Sequence, residues 1–388
     1  MALPTTYTIP PGTREFTDGS TDVVRATIEM LISQGHFTNL LSDLSEYAIV
    51  KRIMPKHKKV FAGGFDWTFK AAIGSDNKGN GTAKFIGAFE NDTFNRVNVL
   101  AEGKVSPRFL TASYVYSKLE QVLNSGEASK GKLLAIVEFV KLQLELMYQG
   151  AFDLLENTFA GVGPATADDK KTPHGIAFYI QKQAMTGATH SAAVNPDGGF
   201  DGLDPQLPQS ATVSTATACP RCNISSSTYA RWANWAARYS KIDKDDLVRK
   251  MRIASHKVNF KSPLSLTDPT LSTGRDILTN LAVLQELETI LESQNMNLGN
   301  DIASKDGKTL FKGTPIDYIP VLDDDTTNPV YMIDWKTLVF GTVDGWEKKV
   351  SAPKEDNNDH NLMKGFLDMS CEMVCTNLRN QAVICKAE

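Results

Sequence analysis

Between Val60 and Glu90 the chain alternates. Phe61, Phe65, Trp67 and Phe69 share one parity, and Asp66, Thr68 and Lys70 take the other. Beyond the Gly/Asn-rich stretch Gly74-Ser75-Asp76-Asn77-Lys78-Gly79-Asn80-Gly81, Phe85 and Phe89 again share a parity. Period two with aromatic enrichment around such a tip predicts a β-hairpin with arms Phe61–Ile73 and Thr82–Phe89. At ~3.3 Å per residue, each arm could reach roughly 25 Å or more. A two-stranded ribbon is only marginally stable alone in water, so its aromatic face must lie on something else. The expectation is a neighbouring copy of the same protein, which makes Phe61, Phe65, Trp67 and Phe69 the candidate subunit interface. A ribbon packed on its own domain is the competing reading.

Helical periodicity organises much of the rest. Residues 1–20, rich in Thr, Pro and Gly, read as an extended arm. Asp22 can cap a helix running to about Ser33, and a second helical stretch, Phe37–Ile53, ends before Pro55. The strongest helix runs from about Ala128 to Phe159. Leu133, Ile136, Val137, Val140, Leu144, Met147, Ala151, Leu154 and Leu155 recur along it at steps of three and four. At 1.5 Å per residue this is a rod of roughly 45 Å, a spine for other elements. Gly161–Ala167 breaks it, and Asn195–Ser227 reads as loop. Tyr229–Arg252 is expected to be helical in part, and Asp276–Met296 to be a second strong helix. Thr314–Leu322, Val330–Phe340 and Phe366–Ile384 are strand-like.

The composition is that of an ordinary globular chain: 388 residues, 41% hydrophobic, 22% charged, formal net charge −4. No apolar run reaches the ~20 residues needed to span a bilayer. The first residues lack the basic and apolar regions of a signal peptide, which makes cytoplasm the simplest compartment. Charge is uneven. Arg221–Lys261 carries ten Lys/Arg against three Asp/Glu, leaving the remainder at about −11. Interleaved with Tyr229, Trp232, Trp235 and Tyr239, this block suits either a nucleic-acid surface or a charge-complementary contact between subunits, and the acidic average favours the second.

Candidate chemistry is sparse. The chain has no GxxxxGK[ST], GxGxxG, HExxH or GxSxG motif, and no two of the six histidines stand at metal-ligand spacing. The expectation is that the protein is not an enzyme and uses no cofactor or metal. Cys219-Pro220-Arg221-Cys222 offers two thiolates, and Cys371 with Cys375 could offer two more to a structural zinc; reduced, unremarkable thiols are the simpler reading. Asp323, Asp324 and Asp325 read as a solvated turn.

Taken in order, these elements resemble the major capsid proteins of tailed bacteriophages, the Hong Kong 97-type shell fold. Gly313-Thr-Pro-Ile-Asp-Tyr-Ile-Pro-Val-Leu322 resembles the Gly-x-Pro strand late in that family's axial domain. Val330-Tyr-Met-Ile-Asp-Trp335 and Asn377-Leu-Arg-Asn-Gln-Ala-Val-Ile384 resemble its closing peripheral strands. The resemblance implies an α+β fold with an N-terminal arm over 1–57 and an extended β-hairpin loop over 58–98. A peripheral domain with the spine helix follows over 99–165, an axial domain over 166–329, and closing peripheral strands over 330–388.

It further implies a structural protein that assembles into hexamers and pentamers of an icosahedral shell, the capsid of a virion put together in the host cytoplasm. Double-stranded DNA would be enclosed without sequence-specific binding. The remaining partners would be a separate scaffolding protein, since no long acidic coiled-coil segment opens the chain, together with a portal and decoration proteins; no membrane is involved. The alternatives are an encapsulin-like nanocompartment shell and a nucleic-acid-binding protein using residues 221–261. Lys70 and Lys78 lie in the loop, but no partner asparagine or catalytic glutamate is identified, and no crosslink is assigned to them.

Overall fold

The structure, a computed structural model, describes residues 47–54, 57–61, 66–72, 85, 88, 100–119, 132–161, 163–164, 169–182, 198–200, 206–207, 217–218, 220–226, 229, 231–258, 275–294, 309–312, 314–356 and 359–386. The expected arm 1–20, the helix from Asp22, the first part of 37–53 and most of Thr82–Phe89 lie outside these residues.

In chain order the elements are α1 (Ala48–Ile53), β1 (His57–Phe61), β2 (Trp67–Ala72), β3 (Leu100–Val105), β4 (Phe109–Ser117), α2 (Lys132–Ala160) and α3 (Ile176–Tyr179). Then come β5 (Gly199–Phe200), β6 (Gln206–Leu207), β7 (Thr217–Ala218), β8 (Trp235–Tyr239), α4 (Leu247–Val258), β9 (Arg275–Thr279), α5 (Leu281–Gln294), β10 (Leu310–Phe311) and β11 (Thr314–Tyr318). The chain closes with β12 (Val330–Asp334), β13 (Leu338–Val343), β14 (Lys349–Val350), β15 (Lys354–Glu355), β16 (Leu362–Ser370), β17 (Glu372–Cys375) and β18 (Ala382–Lys386). The fold is therefore α+β, and the expected spine is present as the 29-residue helix α2.

The chain divides into two compact units. One includes Thr111–Ala151 and Lys349–Leu367; the other consists of Glu46–Leu110, Phe152–Lys348 and Asp368–Glu388. In the first, β16 is flanked by β14 and β15 and also pairs with β4. The Lys118 N–H donates to the Asn361 carbonyl at 2.7 Å, and the Tyr114 ring lies directly over Gly365.

The second unit is built on a seven-stranded mixed sheet in the order β10-β11-β9-β12-β18-β8-β5. Its two edges are strands of two residues each, too short to template pairing with another chain. Alternation divides its side chains between two cores. Trp235, Ala237, Tyr239, Ile277, Val330, Ala382 and Ile384 pack under α4 and α5, while Ala236, Leu278, Tyr331, Ile333 and Val383 join the larger core on the other face. On α4 the buried positions Leu247, Met251, Ala254 and Val258 form the single apolar stripe that an amphipathic helix needs. A three-stranded sheet, β1-β13-β17, adds to the larger core; its middle strand is buried along its whole length.

Two stretches differ from the helical expectation. Tyr229–Arg252 is helical in part, as expected, over residues 247–252 of α4, but residues 235–239 form a strand paired with β18 and β5, because a site buried on both faces removes the polar alternation that would mark it. Within Asp276–Met296 the first residues are strand β9, and α5 starts only at Leu281. Asn280 sets that start: its side chain accepts the Val283 N–H at 3.2 Å, while Asp323 accepts the Leu281 N–H at 2.9 Å. The block 330–388 is also shared out rather than kept together. β12 and β18 join the sheet of β8 and β9, β13 and β17 pair alongside β1, and β16 pairs with β4.

Candidate assembly ribbon

Trp67–Ala72 does form one arm of a two-stranded antiparallel ribbon, but the described partner is Leu100–Val105. The register runs from Trp67 opposite Val105 to Ala72 opposite Leu100. Residues 73–99 thus lie between the arms, and the ribbon base sits further along the chain than 58–98 implies. One face carries Trp67, Phe69, Ala71, Ala101, Gly103 and Val105; the other carries Thr68, Lys70, Glu102 and Lys104. Lys70 stands opposite Glu102, an attractive cross-strand pair. Lys104 pairs with Asp66 at 2.8 Å, and this contact and Ser106 hold the exposed Asp66 carboxyl below its ordinary range.

The apolar face of the ribbon base lies on its own chain. Ala101 and Val105 are buried, and Trp67, Phe69 and Ala71 pack against the larger core. The Phe69 ring is 5.3 Å from Trp67 and 6.4 Å from Trp232, and it covers Gly103. The Lys104 N–H donates to the Cys222 carbonyl at 2.9 Å, tying the ribbon to the body.

The four residues singled out for a subunit contact therefore have different places. Phe61 is 1% exposed and belongs to β1, which pairs in parallel with β13; its ring covers Gly341. It has no surface to give a neighbour and is corrected to a core residue. Phe65 lies outside the described residues. Trp67 and Phe69 are half-buried on their own chain and retain part of their surface. Between the arms, Phe85 is wholly in water at 106% relative exposure. A phenylalanine left there forgoes about 2 kcal/mol of burial.

The basic block also resolves differently from the stacking surface expected of a nucleic-acid binder. Trp232, Trp235 and Tyr239 are buried, so their faces are unavailable to bases. Arg221 is fully buried and donates to the carbonyls of Tyr179 (3.0 Å) and Trp232 (3.2 Å) and to Asn234 Oδ1 (2.9 Å). The exposed cations of the block, among them Lys244, Arg249, Arg252 and Lys257, lie on α4 and the turn before it.

Of the cysteines proposed for zinc, Cys219 is outside the described residues, and Cys222, Cys371 and Cys375 are buried free thiols. One member of each pair does meet the other: Cys222 Sγ lies 3.8 Å from the Cys375 carbonyl. Burial raises all three thiols, those of Cys371 and Cys375 to about 12, so they stay protonated and unreactive near neutral pH. Among the described residues no group of three or more His, Cys, Asp and Glu is placed to hold a metal ion, and no helix is long and apolar enough to cross a membrane. Among the described residues His174 is joined to a buried carboxylate. Glu372 accepts its backbone N–H at 3.1 Å, faces its Nδ1 at 2.8 Å and has Arg108 Nε at 3.5 Å, tying the segment after α2 to β17.

Sequence reasoning missed β3 and the platform residue Trp232. A signal for β3 was present: Ala101, Gly103 and Val105 alternate with Glu102 and Lys104. No such signal marks Trp232, because its partner Phe69 is far away in sequence.

No family model matches this chain, and no curated protein does. Among solved structures the similar ones are mainly phage capsid proteins. The chain is similar to the capsid of Myoviridae phage XM1, at 10% identity, over 90% of this chain and 94% of that one, with a TM-score of 0.49. It is also similar to the holo-SrpI encapsulin complex from Synechococcus elongatus PCC 7942, at 8% identity, 92% and 93% coverage and a TM-score of 0.47. The capsid of the native GTA particle matches at 9% identity, 92% and 99% coverage and a TM-score of 0.47.

Proposed function

We propose that this chain is a structural shell subunit that assembles with copies of itself into hexamers and pentamers of an icosahedral container for double-stranded DNA, and that it does no catalysis. The observation that carries the reading is the ribbon. Its base is anchored to its own body by Trp67, Phe69 and Trp232, while the residues between its arms include a phenylalanine left entirely in water. In this reading that aromatic gains its burial on a neighbouring copy of the chain. Support comes also from the order of elements that underlies the resemblance to Hong Kong 97-type capsid proteins: ribbon, 29-residue helix, mixed sheet with two covering helices, closing strands.

In this reading Phe85 supplies the apolar part of a contact with a neighbour, and Trp67 and Phe69 add their remaining exposed edges. A stable contact between two partners buries ~1,600 Å² in total, and a shell subunit makes several, so individually weak contacts sum by multivalency. A scaffolding protein, a portal and decoration proteins, and enclosure of DNA in a virion assembled in host cytoplasm, belong to the same proposal. Binding of nucleic acid through stacked aromatics is disfavoured by the burial of Trp232, Trp235 and Tyr239.

The test is negative-stain microscopy with light scattering on the wild type and on Phe85→Ser. Wild type should form closed particles; the variant should remain a soluble chain with an unchanged melting temperature. Wild-type-like shells from Phe85→Ser and from a deletion of residues 74–81, or a wild type that stays single at every concentration and with every assembly factor, would overturn the proposal.

A further inference from the structure

A cleft of about 640 Å³, its solvent-open mouth included, lies where the C-terminal end of α4 meets β9, β12 and the β10–β11 turn. Ile277, Met332 and Ile333 form its apolar wall, and His256, Arg275 and Lys312 its basic side. Lys312 Nζ stands 2.7 Å from Ser255 Oγ and 3.3 Å from His256 Nε2, and an Arg275 guanidinium nitrogen donates to the Val258 carbonyl at 3.1 Å. Both cations thus face the partially negative end of α4, which explains part of their placement.

Three facts remain beyond that explanation. Neither Arg275 nor Lys312 has a carboxylate within ion-pair distance among the described residues, whose ion pairs involve other cations such as Arg52, Lys182 and Lys250. Arg275 Nε is buried without a hydrogen-bond partner among those residues, and burial holds the guanidinium below its usual range. Lys312 has a φ of +49°, at a position between Phe311 and Thr314 where a two-residue hairpin turn favours Asn or Gly. Backbone outliers of this kind collect at ligand sites. The acid on the cleft wall is already engaged: Asp276 Oδ2 accepts from Arg52 Nε at 2.6 Å and from Trp335 Nε1 at 2.8 Å. Arg275, offset only by the more distant charge of Asp334 opposite it on β12, and Lys312, neither of them in an ion pair among the described residues, stand beside an apolar wall and fit an anion that carries an apolar body.

We propose that this cleft binds an organic carboxylate bearing an apolar chain of a few carbons, its head group between Arg275 and Lys312 and its chain along Ile277, Met332 and Ile333. A free acid and a glutamyl side chain of another molecule share this chemistry. The inference is independent of the shell reading, since its test uses the single full-length chain.

Calorimetric titration with hexanoate and with N-acetyl-glutamate methylamide tests it and separates the two sources by which binds more tightly. At least one should bind saturably with a Kd near or below ~1 mM, with hexanol at least ~10-fold weaker than hexanoate. Lys312→Gly, which suits the turn, should weaken the bound acid about tenfold while leaving the unliganded melting temperature equal or higher. No saturable binding of either acid up to about 10 mM, hexanol binding as well as hexanoate, or unchanged affinity in Lys312→Gly would each overturn the proposal.

Discussion

The ring of Phe69 occupies the space a side chain at Gly103 would need: a Cβ there would lie 2.5 Å from the ring tip. The two residues face each other across the β2–β3 ribbon, and the ring is flanked by Trp67 and Trp232. Glycine inside a strand ordinarily weakens it. Here it lets an aromatic lie flat across the ribbon and clamp it to the body.

Gly103→Ala should therefore destabilise by about 1–2 kcal/mol, against the usual gain from replacing a strand glycine. In a Phe69→Ala background the same change should be neutral or stabilising, because the clash is gone. Urea denaturation of the four proteins measures the cycle; an equal effect in both backgrounds would show that the two residues are not coupled.

Glu156, on α2, is 5% exposed and accepts the backbone N–H groups of Ile49 (3.0 Å) and Val50 (2.9 Å), capping a helix more than a hundred residues away. Burial raises its pKa, opposed by the Val50 and Ile49 hydrogen bonds and the Arg52 charge. The folded form thus holds the proton more tightly than the unfolded chain. This contribution to stability is fully present below the unfolded value and is lost as pH rises through the raised folded value. Relative to Glu156→Gln, wild type should lose ground in melting temperature as pH goes from about 4 to 7. A difference constant across that range would contradict the shift.

Arg221 donates to three acceptors from a fully buried position. Arg221→Lys keeps the charge but loses the planar fork, and it should cost about 2–3 kcal/mol in urea denaturation. Its effect on DNA retention in a gel shift should be nil, because the side chain never reaches solvent. Weakened DNA binding at unchanged stability would return the basic block to a nucleic-acid role.

What could be read along the chain was what leaves a local trace. The aromatic parity around Trp67 and Phe69 marks a ribbon arm, and the three-and-four spacing from Leu133 to Leu155 marks α2. Phe61 misled because it continues that parity across Gly63-Gly64 while belonging to a different sheet. Trp235–Tyr239 misled because a strand buried on both faces loses its alternation.

The sequence by itself determined the elements whose periodicity is unbroken, the ribbon arm Trp67–Ala72 and the helix α2, since periodicity acts over a few residues. Only the tertiary structure decided which of them meet: β1 beside β13, Trp67–Ala72 beside Leu100–Val105, Phe69 on Trp232, Glu156 under α1. Those pairings are chosen by the burial and hydrogen bonding of the whole chain at once, and a contact between residues distant along the chain writes nothing into the sequence around either one that names its partner.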